Sequence, residues 1–360
     1  MSKFHPLTVA RVERDTREAV VVTFAVPDAL RDQFRYLQGQ HLTLRAAVDG
    51  ADCRRSYSIC SGVQEGELRI AVKKAPGGVF STWINEALAA GDALEVMPPM
   101  GHFQVPLDAA AAHHYVGFAA GSGITPLLSI VKSTLAGEPR SRFTLFYGNR
   151  ASGSVMFREE LAALKDRYID RFNLVHVLSR EAQDIELLHG RIDQAKAGAL
   201  LDHWVELADV DAVFICGPEG MMDSVRTALR ARDFPEERIY VERFAASIPR
   251  HVHVPRPLPE ASSVQCEVSV TIDGAQRTFF AEKGHENLVD AGLRNGIELP
   301  YSCKGGVCST CRCRLTSGEV DMDVNFALED YEIARGFILA CQSYPVTDKV
   351  AIDFDQTGMA

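Results

Sequence analysis

The chain has 360 residues, enough for two or three domains with separate cores, and its 46% hydrophobic and 24% charged content is ordinary for a globular protein. A net charge of −10 argues against nucleic acid, whose partners are usually basic. No run approaches the ~18 apolar residues of a membrane span, and the opening Met-Ser-Lys-Phe-His-Pro lacks the apolar core of a signal peptide, so a cytoplasmic protein with no membrane partner is expected.

In chain order, residues 1–106 alternate short strand-like runs with turns. The runs are Thr8–Val12, Ala19–Ala25, His41–Arg45, Arg55–Ile59, Leu68–Lys73 and Ala93–Met97, and the turns include Asp49-Gly50, Pro76-Gly77-Gly78 and Gly91-Asp92. Many short strands at this spacing predict an antiparallel β-barrel, with one helix after Ser81, a residue type suited to a cap. Residues 107–246 alternate strands (His114–Ala119, Phe143–Tyr147, Asn173–Leu178, Ala212–Cys216, Arg238–Val241) with helices (Pro126–Ala136, Phe157–Arg167, Arg191–Leu201, Met221–Arg232). That alternation predicts a doubly wound parallel sheet. Residues 247–263 hold Pro249, Pro255, Pro257 and Pro259 and read as an extended, semi-rigid linker. Residues 264–360 begin with a strand pair, Cys266–Ile272 and Gln276–Ala281, around Asp273-Gly274. A helix, Glu286–Asn295, and a Gly/Cys-rich loop follow. The fold class is thus multidomain, β followed by α/β and a third small domain.

Charge is uneven along the chain. From Val264 onward there are 15 acidic and 8 basic residues, so this end carries −7 of the −10. Asp321, Asp323, Glu329, Asp330 and Glu332 are candidate docking acids for a partner protein.

Five of the nine cysteines fall between Cys303 and Cys341. The spacing Cys303-x4-Cys308-x2-Cys311, with Cys341 alone and 29 residues between it and Cys311, matches the ligand spacing of a plant-type [2Fe–2S] cluster. A structural four-cysteine zinc site more often uses two Cys-x2-Cys pairs. Gly305 and Gly306 allow the loop backbone to wrap the sulfides. Cys313 reads as packing, and Cys53, Cys60 and Cys266 have no motif context. Glu186–His189 and Glu282–His285 are chance Glu-x-x-His matches, because a di-iron site needs two such motifs in one bundle.

Two further regions carry cofactor chemistry. In the barrel, Arg55-Ser56-Tyr57-Ser58 offers a guanidinium for phosphate, an aromatic face and a hydroxyl. Pro76 to Thr82 reads as a Gly-rich turn opening a helix, a ready pyrophosphate site. In the second domain, Gly121-Ser122-Gly123-Ile124-Thr125-Pro126 opens a helix after a strand, with Thr125 near the cap and Pro126 in the first turn. Cys216-Gly217-Pro218 ends a later strand. Both motifs fall where open parallel sheets bind ligands. Ser179-Arg180 places a cation suited to an adenosine 2′-phosphate, favouring NADPH over NADH, although Glu181 follows directly.

The loop from Tyr301 to Cys311 resembles the cluster loop of plant-type ferredoxins, which implies a β-grasp [2Fe–2S] domain over 264–360. Arg55-Ser56-Tyr57-Ser58 and the later Gly/Ser loop resemble the ferredoxin–NADP reductase family, which implies an FAD-binding barrel and an NAD(P)-binding domain. By that resemblance Arg55 contacts the FAD pyrophosphate, Tyr57 packs on the isoalloxazine and Ser58 lies near its N5. Gly78, Ser81 and Thr82 lie on the phosphates, and Cys216 orients the nicotinamide. Glu242 and Phe244 match the family's terminal acid and flavin-shielding aromatic. The implied catalytic set is Ser58, Cys216 and Glu242. The domain order resembles a subgroup of oxygenase reductases, implying electron flow from NADPH through FAD and the cluster to the oxygenase component of a multi-subunit monooxygenase, a di-iron one in the nearest likeness. A reductase for another oxygenase or iron–sulfur enzyme, and a redox-sensing cluster protein, are the alternatives.

Overall fold

A computed structural model of the chain describes residues 4–244, 253 and 264–356, which fall into two compact units, Phe4–Arg243 and a second beginning at Phe244. Apart from His253, the linker expected over 247–263 lies outside the described residues.

The first unit opens with β1 (His5–Thr16), β2 (Ala19–Ala25), β3 (His41–Val48), β4 (Ala51–Ser58), β5 (Leu68–Lys73), α1 (Val79–Glu86) and β6 (Ala93–Val96). The six strands pair antiparallel in the order β4-β3-β6-β1-β2-β5, and an antiparallel bridge between Ile59 and Ile70 joins the two ends of that order. This closure makes the sheet a barrel and removes its open edges. Alternating residues Leu7, Val9, Val20, Val22, Leu42, Leu44, Ile70 and Val72 fill its interior, with Phe80 and Ile84 of α1 packed among them. β4 ends at Ser58, not at Ile59. α1 starts two residues before Ser81, at Val79, because Gly78 in an extended conformation takes the cap position.

The chain continues through β7 (His114–Ala120), α2 (Ile124–Gly137), β8 (Arg142–Asn149), α3 (Arg158–Arg167), β9 (Phe172–Leu178), α4 (Gln194–Trp204), β10 (Ala212–Cys216), α5 (Glu219–Arg230) and β11 (Ile239–Glu242). The sheet is wholly parallel, in the order β11-β10-β7-β8-β9. β7 therefore lies at the switch point, with β8 on one side and β10 on the other, and the crevice outside these strand ends is where such sheets bind ligands. α4 and α5 bury Leu200, Leu201, Met222, Val225 and Leu229 on one face of the sheet, against Phe118, Val177, Val213 and Ile215.

α2 is buried from Ile124 to Leu135, well beyond the single stripe that a surface helix buries. Its polar residues meet the barrel: Ser129 Oγ donates to the Ser61 carbonyl at 2.7 Å, and the Val63 N–H donates to Ser133 Oγ at 3.1 Å. Lys132, 4% exposed, pairs with Glu65 at 2.9 Å and also with Glu160, which in turn holds Arg69 of β5 at 3.2 Å. This charge cluster fastens the barrel to the sheet domain. Removing one member of a buried set strands its partners, so Lys132→Met is expected to lower unfolding free energy by about 3–5 kcal/mol, read as a lower denaturant midpoint. Glu65→Gln, at the more exposed rim, should lower it by about 1 kcal/mol or less.

The second unit comprises β12 (Gln265–Ile272), β13 (Ala275–Glu282), α6 (Leu288–Arg294), β14 (Arg312–Ser317), β15 (Val320–Met322), α7 (Asp330–Ala334), β16 (Phe337–Leu339), β17 (Ser343–Pro345) and β18 (Lys349–Asp353). Its main sheet runs β13-β12-β18-β14-β16, with β12 and β18 parallel and the other pairs antiparallel. α6 closes one face with Leu288, Val289 and Ala291 against Val268, Phe279 and Ile352. It starts at Leu288 because the Asn287 side chain accepts from the Asp290 N–H. Among the described residues no helix is long and apolar enough to cross a membrane.

Candidate functional site

On the barrel, β4 carries Arg55 and Tyr57 on one face and the buried Ser58 on the other, at the end of the strand. Arg55 is exposed, and its Nη1 donates to the Arg54 carbonyl at 2.7 Å. Tyr57 stacks on Phe80 of α1 with ring centroids 6.2 Å apart. Burial pushes its phenol upward, so it stays neutral and offers an apolar face. α1 starts without a side-chain cap, leaving its first backbone N–H groups without intrahelical acceptors. A Cβ on Gly78 would come within 2.6 Å of Ser81 Oγ, so only glycine lets the chain turn there. Ser81 Oγ donates to the Gly78 carbonyl and accepts from the Ala75 N–H, both at 3.1 Å. It braces the loop, and what Gly78, Ser81 and Thr82 offer an anion is backbone. This donor set fits an FAD pyrophosphate.

In the sheet domain, Gly121 has φ +55° and open space where a Cβ would stand. Gly123 is the opposite case: its Cβ would fall 2.1 Å from the Cys216 carbonyl oxygen and 2.9 Å from the Gly217 nitrogen. The two strand-end motifs therefore pack backbone to backbone, and Gly121 is left as the cradle. The helix begins one residue after Gly123, so Thr125 is not its cap. Its hydroxyl donates to the Ser122 carbonyl at 3.0 Å within its own loop. Tyr147 Oη donates to the Gly121 carbonyl at 3.0 Å. Pro218 caps α5 and accepts from Met221 and Met222 through its carbonyl.

At the candidate site the two lobes meet through Ser58 of the barrel and Glu242 of the sheet domain. Ser58 Oγ donates to Glu242 Oε2 at 3.1 Å across 184 positions of sequence, and Glu242 lies beside Cys216 in the parallel register of β10 and β11. Burial pushes the Glu242 carboxyl up to about 8, partly offset by the Ser58 hydrogen bond. Burial, and then the nearby Glu242, push the Cys216 thiol well up, so it is an uncharged group and not a nucleophile. Phe244 falls in the second unit.

At the far edge, the Ser179 and Arg180 N–H groups donate to the Asn149 and Arg150 carbonyls at 2.9 and 2.8 Å. Sequence reasoning passed over Ser152, whose N–H and hydroxyl both donate to Glu181 Oε2, at 2.7 and 2.9 Å. These bonds hold the Glu181 carboxyl below its usual range.

The cysteine loop is built for sulfur. Lys304, Gly306 and Ser309 take positive φ, and a Cβ on Gly306 would meet Val324 at 2.9 Å, so Gly306 is the glycine the wrap requires. Gly305 is not left-handed; Lys304 makes that turn. The Gly305 N–H donates to Cys303 Sγ at 3.3 Å, the Cys303 N–H to Cys308 Sγ at 3.5 Å, and Gln342 Nε2 to Cys341 Sγ at 3.6 Å. The thiols fall into two interacting pairs, Cys303 with Cys308 and Cys311 with Cys341. Among the described residues no three His, Cys, Asp or Glu side chains are arranged around a single ion. Two thiol pairs with N–H donors aimed at sulfur fit a dinuclear cluster, in which each iron takes two protein thiolates. Cys313 pairs opposite Ile338 in β16 and is buried in the sheet core, as expected for a packing residue.

Two of the five candidate docking acids are not surface groups. Glu332 is buried against Arg312 at 2.8 Å and closes a capping box with Glu329 at the start of α7. Asp323 is 12% exposed and holds His253. The sequence could not separate these from Asp321, Glu329 and Asp330, because local charge does not reveal which carboxylates face the core.

Comparison with known proteins matches residues 6–105 to an oxidoreductase FAD-binding domain, 118–227 to an oxidoreductase NAD-binding domain and 270–346 to a 2Fe–2S iron–sulfur cluster binding domain. One subunit of the 1,2-phenylacetyl-CoA epoxidase of Escherichia coli (strain K12) is 47% identical over all of both chains. The ferredoxin reductase component of the 3-ketosteroid-9-alpha-monooxygenase of Rhodococcus rhodochrous is 36% identical over 97% of this chain and 96% of its own. Among solved structures, phthalate dioxygenase reductase, described as a modular structure for electron transfer from pyridine nucleotides to [2Fe–2S], aligns with TM-score 0.57 and 25% identity over 98% of each chain.

Proposed function

Because the chain belongs to the family of oxygenase reductase components built from FAD-, NAD- and [2Fe–2S]-binding domains, we propose that it takes hydride from NADPH and passes single electrons to the oxygenase component of a 1,2-phenylacetyl-CoA epoxidase in phenylacetate breakdown. The observation that carries the named partner is 47% identity without gaps in coverage at either end of either chain. A cytoplasmic location accords with the described cysteines, none of which is in a disulfide.

FAD, when bound, supplies the conversion of a hydride pair into single electrons, and the iron–sulfur cluster accepts them one at a time. The chain's residues then have separate duties. Arg55 and the uncapped start of α1 hold the pyrophosphate, and Tyr57 supports the ring. Gly121, Gly123, Gly217 and Pro218 shape the nicotinamide crevice at the switch point. Cys216, neutral and buried, presents a small unreactive surface to the nicotinamide. Ser58 Oγ and Glu242 Oε2 hold a proton between the lobes. Cys303, Cys308, Cys311 and Cys341 hold the irons.

NADPH is favoured for a physical reason. An acid beyond a strand end of such a sheet selects NADH by binding the free ribose hydroxyls. Here Ser152 engages that acid, Glu181, with two hydrogen bonds, so Arg180 is left to meet a 2′-phosphate. The experiment is reconstitution with purified oxygenase components. We expect NADPH-driven epoxidation of phenylacetyl-CoA and a kcat/KM for NADPH at least about tenfold above that for NADH, a difference of ~1.4 kcal/mol. Turnover only with a ketosteroid oxygenase, favoured as second reading by the 36% relative, would overturn the partner. A preference for NADH would overturn the coenzyme.

A further inference from the structure

His253, within the second unit, makes contacts that belong to no motif. Its Nδ1 lies 2.8 and 2.9 Å from the two carboxylate oxygens of Asp323, and its Nε2 lies 2.7 Å from the Gly284 carbonyl oxygen. The ring stacks on Tyr344 with centroids 3.4 Å apart and planes 5° from parallel. His253 is 10% exposed and Asp323 12%. Neither a carboxylate nor a carbonyl can donate, so both ring nitrogens must carry a proton. An imidazolium between an anion and a carbonyl, lying on an aromatic face, satisfies every group at once.

Charged residues near the contact are engaged with one another. Around Gly284, Lys283 pairs with Asp348 and Glu286 with Arg294. Around Tyr344, Asp290 pairs with Lys304 at 2.6 Å. From Asp323 the path to iron is short. The Asp323 N–H donates to the Gln342 carbonyl at 3.0 Å, and the Gln342 side chain donates to Cys341 Sγ.

We propose that His253 is a positioning residue for the electron-exit step: an imidazolium captured by the [2Fe–2S] domain, whose charge offsets Asp323 and holds the cluster's reduction potential up. This rests on Cys341 being a cluster ligand. The step concerned moves one electron from flavin to cluster, adding one negative charge to the iron site, and a nearby cation favours that product while a carboxylate opposes it.

The test uses the full-length holoprotein. Nitrogen-15 NMR of histidine-labelled protein at neutral pH should show both His253 ring nitrogens protonated. In a redox titration followed by electron paramagnetic resonance, His253→Gln should shift the cluster's reduction equilibrium against the reduced form about threefold to tenfold, roughly 30–59 mV for a one-electron couple, with the flavin couple unmoved. Asp323→Asn breaks the same contact but removes the anion, so its cluster must not fall below wild type. A contact that merely supports the fold moves both variants the same way. An unchanged potential in His253→Gln, a fall in Asp323→Asn, or a ring nitrogen without a proton overturns the proposal while leaving the cluster in place. A wild-type protein without iron overturns this proposal and the cluster assignment together.

Discussion

Replacing Cys308 with serine is expected to abolish electron delivery to the oxygenase while sparing the entry half of the reaction. Cys308 is buried, its sulfur accepts the Cys303 N–H, and it forms one of the two thiol pairs. Loss of outer partners of a metal site alone costs 10–100-fold in affinity or activity, so loss of a ligand should lower electron transfer to the oxygenase by at least about 100-fold. The cluster's visible absorption should vanish with it. Ferricyanide takes electrons directly from flavin, so its reduction by NADPH should remain within about twofold of wild type, since residues Phe4–Arg243 form their own compact unit. Normal oxygenase turnover by this variant would remove the cluster from the exit path.

The second large effect is expected at Glu242. Its carboxyl, pushed up to about 8, is neutral below that pH and anionic above it. Bound FAD would gain negative charge with the hydride, which a neutral Glu242 carboxyl would tolerate and an anionic one would oppose. The rate of flavin reduction in a single turnover should therefore fall as pH rises through about 8, and Glu242→Gln should flatten that profile. Full turnover behaves differently. Bound FAD would supply a proton as well as electrons on reoxidation, and the Ser58–Glu242 pair would be placed to take it. Positioned acid–base groups contribute 10²–10⁴-fold, and water can substitute in part, so kcat with the oxygenase should drop about 10–100-fold in Glu242→Gln. The same raised carboxyl has a stability consequence. Between its ordinary value of 4.5 and about 8 the unfolded state loses this proton and the folded state keeps it, so this group's contribution to stability declines as pH rises through that window. Glu242→Gln should remove that decline, seen as a melting temperature that changes less with pH than that of wild type.

What could be read beforehand follows from range. Cys303, Cys308 and Cys311 lie within one loop, and their spacing declares their chemistry without knowledge of the fold. The strands Ala19–Ala25, Leu68–Lys73 and Ala212–Cys216 are apolar runs bounded by turn residues, and each was legible at both ends. Helix starts were less so. α1 and α2 both begin before the expected residues because glycines, Gly78 and Gly123, stand at their caps where a hydroxyl residue was expected. The functional contacts that escaped are long-range. Ser152 reaches Glu181 across 29 positions, Lys132 meets Glu65 across 67, and His253 meets Asp323 across 70. Nothing local marks either partner, and the composition of the acidic C-terminal end concealed that Glu332 and Asp323 serve the interior.

Paired electrons that enter as hydride and depart one by one from iron require both redox centres on this single polypeptide. An anaerobic NADPH titration of the purified protein, followed by visible and paramagnetic resonance spectra, measures this directly. Full reduction should consume about 1.5 equivalents of NADPH, two electrons resting on flavin and one on iron, with one flavin and two irons per chain. Flavin that reduces while no electron ever reaches an iron centre would contradict the account.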